Sequence, residues 1–244
     1  MKTIIANWKM QLSLKDSVEL AKQAVKKIKG KNTVVLCPDF LALPFVGPIL
    51  KKSGLELGAQ DSAIASRGAH TGEVSPDNLK ALGAKYVILG HSERREQLHE
   101  SSAIVNLKIK AALESGLIPV VCVGEKLEIR QNGETEEYLN RELTLSLKGV
   151  RIKKSSALLI AYEPIWAIST NKHAKPMSAA EAEAIHSFIA AKAARILKTP
   201  VAVLYGGSVN TANAGELLKQ KHIGGLLVGG ASLRIKDFSY ICSF

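Results

Sequence analysis

The chain has 244 residues, 46% hydrophobic and 23% charged, which suits an ordinary globular protein with a full core. It carries 33 Lys and Arg against 22 Asp and Glu, a net charge of +11. The longest basic cluster is only "KKIKGK" (26–31) and aromatic residues are few, which disfavours a nucleic-acid surface. A solvated basic surface is the plain reading, and a small anionic substrate would gain from the same positive field. Cys37, Cys122 and Cys242 lie far apart with no C-x-x-C, which argues against structural zinc or a disulfide framework and for a reducing compartment. "MKTIIANWKM" has too short an apolar run before Asn7 for a signal segment, and no run approaches the roughly 20 residues of a membrane span. A cytoplasmic location is therefore expected.

In chain order, "TIIANW" (3–8) reads as a first strand. A helix follows, with Ser13 as N-cap and Val18, Ala21, Val25 and Ile28 as one apolar stripe. Further apolar runs are "TVVLCP" (33–38), "LELGAQ" (55–60), "KYVILGH" (85–91), "LIPVVCVG" (117–124), "ALLIAYE" (157–163), "VAVLYGG" (201–207) and "GGLLVGG" (224–230). Near-continuous apolarity of this kind suits parallel strands buried on both faces. Helices are expected over 101–114, 134–147, 178–197, 210–220 and 235–242, with a short one starting at Ser92. Eight strand–helix units in this length predict an α/β fold closed as a (β/α)8 barrel, with an open α/β sheet as the alternative.

In such a barrel the C-terminal strand ends form the site. Here they carry Asn7 and Lys9, Gln60, His91, Glu125, Glu163, Gly206 to Ser208, and Gly229 with Gly230. Glycine turns after the last two strands let backbone N–H groups approach an anion, so a small phosphorylated ligand is the default. Glycine pairs are also often plain turns. His91 at a helix start is expected to stay neutral and to donate to a carbonyl, or merely to serve as a local cap. Lys9 reads as an anchored cation or as a solvated strand-end lysine. Glu163 ends an apolar strand, where an unpaired carboxylate is costly. Burial would raise its pKa and make it a general base. The segment behind it, Pro164, Ile165, Trp166, Ala167, Ile168, Ser169, Thr170 and Asn171, reads as a stiff lid that excludes water.

Seven motifs stand in order: "NWKM" (7–10), "GAQD" (58–61), "GAHTGEVS" (68–75), "GHSERR" (90–95), "AYEPIWAI" (161–168), "YGGSV" (205–209) and "LVGGASL" (227–233). With them the chain resembles the triosephosphate isomerase family from end to end. The resemblance implies a TIM barrel acting as one catalytic domain over residues 1–244. It also implies interconversion of dihydroxyacetone phosphate and D-glyceraldehyde 3-phosphate, in glycolysis and gluconeogenesis. That family is itself a standard example of pKa tuning and lid closure. By the same resemblance Glu163 matches the base, His91 the neutral imidazole, Lys9 the substrate-holding cation, Asn7 a polar contact and Glu93 an ordering carboxylate. Backbone N–H groups of Ser169, Gly229 and Gly230, with Ser208, match a phosphate cradle, and Tyr205 and Ser208 match a latch for the lid. No metal or cofactor is implied, nor a nucleic-acid or membrane partner. A homodimer is implied, with Thr71 reaching the partner's site and Gln60 on the receiving side. The chain departs from the family at Ser169 and Asn171, where glycines are usual. It departs also at Ala190 and Gly224, where an Arg–Asp ion pair is usual, and at Gln11, where Asn is usual. Joint loss of that pair leaves no orphan charge.

Overall fold

The computed structural model describes residues 1–168 and 177–244. Eight parallel strands, β1 (Thr3–Asn7), β2 (Thr33–Cys37), β3 (Glu56–Ala59), β4 (Ala84–Leu89), β5 (Ile118–Val123), β6 (Leu159–Tyr162), β7 (Ala202–Tyr205) and β8 (Ile223–Val228), pair in sequence order. Pairing of β8 with β1 closes the barrel. At that seam Thr3 faces Gly225, and a Cβ on Gly225 would sit 1.8 Å from the Thr3 carbonyl oxygen. Closure there requires glycine. The architecture is the (β/α)8 barrel expected from the repeat.

Alternation along each strand divides the core into two layers. Ile5, Val35, Cys37, Ile88, Val120, Cys122, Leu204 and Leu227 fill the barrel interior. Ile4, Ala6, Val34, Leu36, Val87 and Leu89 face outward and pack with the helices. Full burial of each such Leu, Ile or Val contributes about 1.5–3 kcal/mol relative to exposure.

The helices are α1 (Leu14–Lys27), α2 (Leu43–Leu50), α3 (Pro76–Ala81), α4 (Ser92–Gln97), α5 (Ser102–Glu114), α6 (Leu127–Gln131), α7 (Thr135–Ser146), α8 (Ala179–Leu197), α9 (Ala214–Lys219) and α10 (Ile235–Ile241). Ser13 caps α1 as expected, but the buried stripe is Ser17, Leu20, Ala21, Ala24 and Ile28. Val18 and Val25 lie only at its margin. Ser178 and Glu181 form a reciprocal capping box on α8, worth about 1 kcal/mol. α9 begins later than residue 210 because the Asn210 side chain accepts from the N–H groups of Ala212 and Asn213, which holds a turn. Among the described residues no helix is long and apolar enough to cross a membrane.

Candidate active site

The first wall of the site is the end of β1. Asn7 is buried, and its Oδ1 accepts from the Lys9 N–H at 3.1 Å. Lys9 has φ of 51°, a left-handed conformation. For a residue with a Cβ that costs roughly 1–2 kcal/mol. Gln60 offsets it: its Nε2 donates to the Lys9 carbonyl at 2.8 Å and to the Cys37 carbonyl at 3.0 Å. The sequence placed Gln60 at a strand end of the site and on the receiving side of an interface; its amide fixes the backbone that aims Lys9. The Lys9 ammonium meets Glu93 Oε1 at 2.6 Å.

The opposite wall is the end of β4. His91 is the N-cap of α4, and its Nδ1 accepts from the Glu93 N–H at 3.2 Å. That contact fits an unprotonated Nδ1 and leaves the ring proton on Nε2, which lies 3.0 Å from Glu163 Oε1. Glu163 Oε2 accepts from the Ser92 N–H at 3.1 Å. The carboxylate is 2% exposed.

Here the expectation of a raised base fails. Burial pushes the Glu163 carboxyl up, but the facing His91 and the Ser92 N–H outweigh it, and its pKa lies below the ordinary value. Burial likewise disfavours the His91 imidazolium, yet the Glu163 carboxylate opposite outweighs that, and its pKa lies above the ordinary value. The helix start alone therefore does not hold His91 down in this arrangement. The contact between the two side chains is the chief influence opposing burial in both, so both shifts weaken when something comes between them.

Close packing around Glu163 explains two glycines that the sequence did not assign to it. A Cβ on Gly124 would lie 1.8 Å from the Glu163 carbonyl oxygen, and one on Gly206 would lie 2.8 Å from Glu163 Cγ. Gly206 is therefore room for the carboxylate arm. Gly207 makes room for Tyr205, whose Oη would lie 2.3 Å from a Cβ there. Beneath Glu163, burial and then the carboxylate itself push the Cys122 thiol well up, so it stays a neutral thiol.

Behind Glu163, Pro164 leads into a 3-10 turn over Ile165–Ala167. Trp166, Ala167 and Ile168 are buried. Glu125, fully buried at the end of β5, accepts from Trp166 Nε1 at 2.9 Å and from Tyr162 Oη at 3.1 Å. Its carbonyl accepts from the Ile165 N–H. Arg130 lies over the Trp166 ring at 4.7 Å. Glu125 stood at a strand end in the sequence without a role; it ties down the root of the segment. The Ser208 N–H donates to the Ala167 carbonyl at 2.8 Å, joining this segment to the turn after β7. Ser169, Thr170 and Asn171 fall outside the described residues.

After β8, Gly229 leads into a 3-10 turn over Gly230–Leu233. A Cβ on Gly229 would meet Lys9 Cε at 3.8 Å, and one on Gly230 would meet open space. The glycine turn therefore borders the Lys9 side chain. Thr71 is exposed, on a loop pinched at its neck by the Ala63 N–H to Val74 carbonyl bond. This chain alone does not bring Thr71 to the other site residues. Among the described residues no group of three or more His, Cys, Asp or Glu is placed to hold a metal ion.

The arrangement brings a carboxylate, an imidazole N–H and an ammonium together at the C-terminal ends of the strands, which suits moving protons next to a carbonyl while offsetting negative charge. The model of the family described as triosephosphate isomerase matches residues 2–244. The triosephosphate isomerase of Clostridium tetani is 42% identical over 250 residues, spanning 100% of this chain and 96% of that protein. That of Dehalococcoides mccartyi is 44% identical over 246 residues, spanning 98% of this chain and 94% of the relative. That of Rhodopirellula baltica is 43% identical, spanning 98% and 95%. A closed parallel barrel, matched end to end by these sequences, leaves one conclusion: the chain belongs to the triosephosphate isomerase family.

Proposed function

We propose that the chain interconverts dihydroxyacetone phosphate and D-glyceraldehyde 3-phosphate as one catalytic domain, without metal or cofactor, in glycolysis and gluconeogenesis. The observation that supports this most is the buried His91–Glu163 contact at 3.0 Å beside Lys9. Substrate enters between the two side chains and separates them. Glu163, no longer held by His91, takes a proton from the carbon beside the carbonyl. The C–H electron pair becomes the C=C bond of an enediolate, and the former carbonyl oxygen takes up negative charge. Lys9 offsets that charge, and Asn7 adds a polar contact. The His91 Nε2–H donates to the oxygens and moves a proton between them. Glu163 then returns its proton to the neighbouring carbon, which restores the starting state of every side chain. Glu93 holds the Lys9 ammonium in place. Backbone N–H groups of Ser169, Gly229 and Gly230, with Ser208, hold the phosphate, and the segment from Pro164 to Asn171 closes over it.

A cytoplasmic homodimer completes the proposal. Met10, Leu41 and Phe45 are 92%, 80% and 53% exposed on the stretches following β1 and β2, and Ile64 is exposed after β3. Such an apolar edge on one side of the catalytic end favours a second copy. Thr71→Glu would place a charge in that contact, and sedimentation at micromolar concentration should then show a lighter species. An unchanged sedimentation coefficient would remove this loop from the interface. For the activity, a coupled assay that oxidises NADH as dihydroxyacetone phosphate forms from glyceraldehyde 3-phosphate is decisive. Turnover is expected from purified protein, and its absence would refute the proposal.

A further inference from the structure

Among the described residues, four tracts of positive charge lie away from the proposed active site. In sequence they are scattered, but the barrel sorts them. "KKIKGK" (26–31) spans the end of α1 and the approach to β2. Lys51 and Lys52 follow α2, "KGVRIKK" (148–154) follows α7, and "KQK" (219–221) ends α9. Every one of these tracts precedes a strand, so all lie at the end of the barrel opposite the strand C-termini. Their Lys and Arg residues are exposed, and none forms an ion pair among the described residues. At the catalytic end, by contrast, Lys9, Arg94, Arg95, Lys126, Arg130 and Arg234 each pair with a carboxylate at 2.5–3.3 Å.

Helix-dipole complementarity accounts for Lys26, Lys27 and Lys219, which sit in last turns. It does not account for the lysines of the connections beyond them. We propose that this end of the barrel is a docking face for an anionic lipid surface. The tracts approach β8, β2, β3 and β6 of a closed ring, so they are spread around a circle. A plane of lipid phosphates meets all of them at once, whereas a linear polyanion engages only those beneath its path. The residues are nearly all lysine, flexible point charges without the planar fork that specific recognition uses. Attraction of clustered lysines to anionic lipid adds per residue near the surface and fades within a Debye length. Docked this way, the barrel turns its catalytic mouth toward solvent, and activity is unimpeded.

The test is co-sedimentation of the full chain with vesicles of phosphatidylglycerol and phosphatidylcholine, against vesicles of phosphatidylcholine alone. Binding is expected only to the anionic vesicles, with release at about 1 M salt, where the Debye length shrinks to about 3 Å. A variant carrying Lys31→Glu, Lys52→Glu, Lys153→Glu and Lys221→Glu removes one lysine from each tract and should bind at least tenfold more weakly. A control with the same charge change on helix flanks, Lys22→Glu, Arg141→Glu, Lys192→Glu and Lys236→Glu, should bind within about threefold of the parent. Isomerase activity in each variant reports that it is folded. Failure of the parent to pellet, or equal losses in the two variants, would overturn the proposal. Binding of duplex RNA without binding of anionic vesicles would also overturn it, and would assign the face to nucleic acid.

Discussion

The two ends of this barrel are built from the same strands and differ in how charge is handled. At the catalytic end, charges are few, close and matched: Glu163 to His91, Lys9 to Glu93, Glu125 to Trp166 and Tyr162. Each has a defined partner, and Glu163, His91 and Glu125 are buried, so small displacements there carry large energies. At the opposite end the lysines of the four tracts are many, exposed and without ion pairs among the described residues, Lys85 with Glu56 being a paired neighbour there. Each is worth little individually, and water screens it. Burial with defined partners turns charge into chemistry; exposure in number turns it into a field. The contrast can be broken by substitution at either end.

The largest effect is expected at Glu163. Glu163→Asp withdraws the carboxylate by about one methylene, and roughly 1 Å of misplacement costs on the order of 100-fold in turnover. The coupled assay reads this, and an unchanged Tm shows that the barrel is intact. Next comes Gln60→Ala, which leaves the left-handed Lys9 backbone without its clamp. A fall in kcat/KM of about tenfold is expected, about 1.4 kcal/mol on the barrier. Loss of dimerisation with no change in kcat/KM per folded dimer would instead return Gln60 to the interface alone.

Trp166→Phe removes the indole N–H from the Glu125 carboxylate. Burial raises the Glu125 pKa, and the Trp166 bond pulls it back. Loss of that bond should destabilise the fold by about 1.5 kcal/mol near neutral pH, lowering Tm by about 4 °C in a chain of this size. The sign with pH follows from linkage. A carboxyl whose folded pKa is raised carries its stability cost above that pKa and sheds it as pH falls through it. The deficit of Trp166→Phe should therefore shrink on acidification, and a deficit that grows would place the indole contact elsewhere. The smallest effect is at the far end: the four-lysine reversal should change kcat/KM by less than about twofold at about 0.15 M salt, where charges more than about 8 Å apart are largely screened. A tenfold loss would mean that the far end steers substrate after all.

The strands were legible because parallel strands buried on both faces read as uninterrupted apolar runs; six lie within the expected segments, and β4 and β8 begin one residue earlier, at Ala84 and Ile223. α2 was not, because Pro44, Gly47 and Pro48 punctuate it; Pro44 sits in its first turn and tertiary packing of Leu43, Val46 and Leu50 carries the rest. The short α3 and α6 lacked enough turns to show a period. In the site, Glu163, His91 and Lys9 were visible as polar residues at apolar strand ends. Glu125 was visible but without a task, because its partners Tyr162 and Trp166 come from the neighbouring strand and the turn beyond it. Gly206 was read as an anion turn, since nothing local reveals that Glu163 Cγ passes beside it. The direction of the Glu163 shift was missed for a related reason: burial is legible from a single strand, whereas the Ser92 N–H and the His91 ring come from another. The sorting of lysines was hidden because short tracts far apart in the chain converge only through topology.

The proposed proton transfer by Glu163 between substrate carbon and solvent-exchangeable positions can be tested by hydrogen exchange in D2O. Dihydroxyacetone phosphate incubated with the parent protein should gain deuterium at the carbon bearing its hydroxyl. Glu163→Gln, which keeps the size of the arm but cannot take a proton, should slow that incorporation by about 1000-fold or more, within the range that loss of a general base and its charge produces. Incorporation by Glu163→Gln at the parent rate would mean that another group moves the proton.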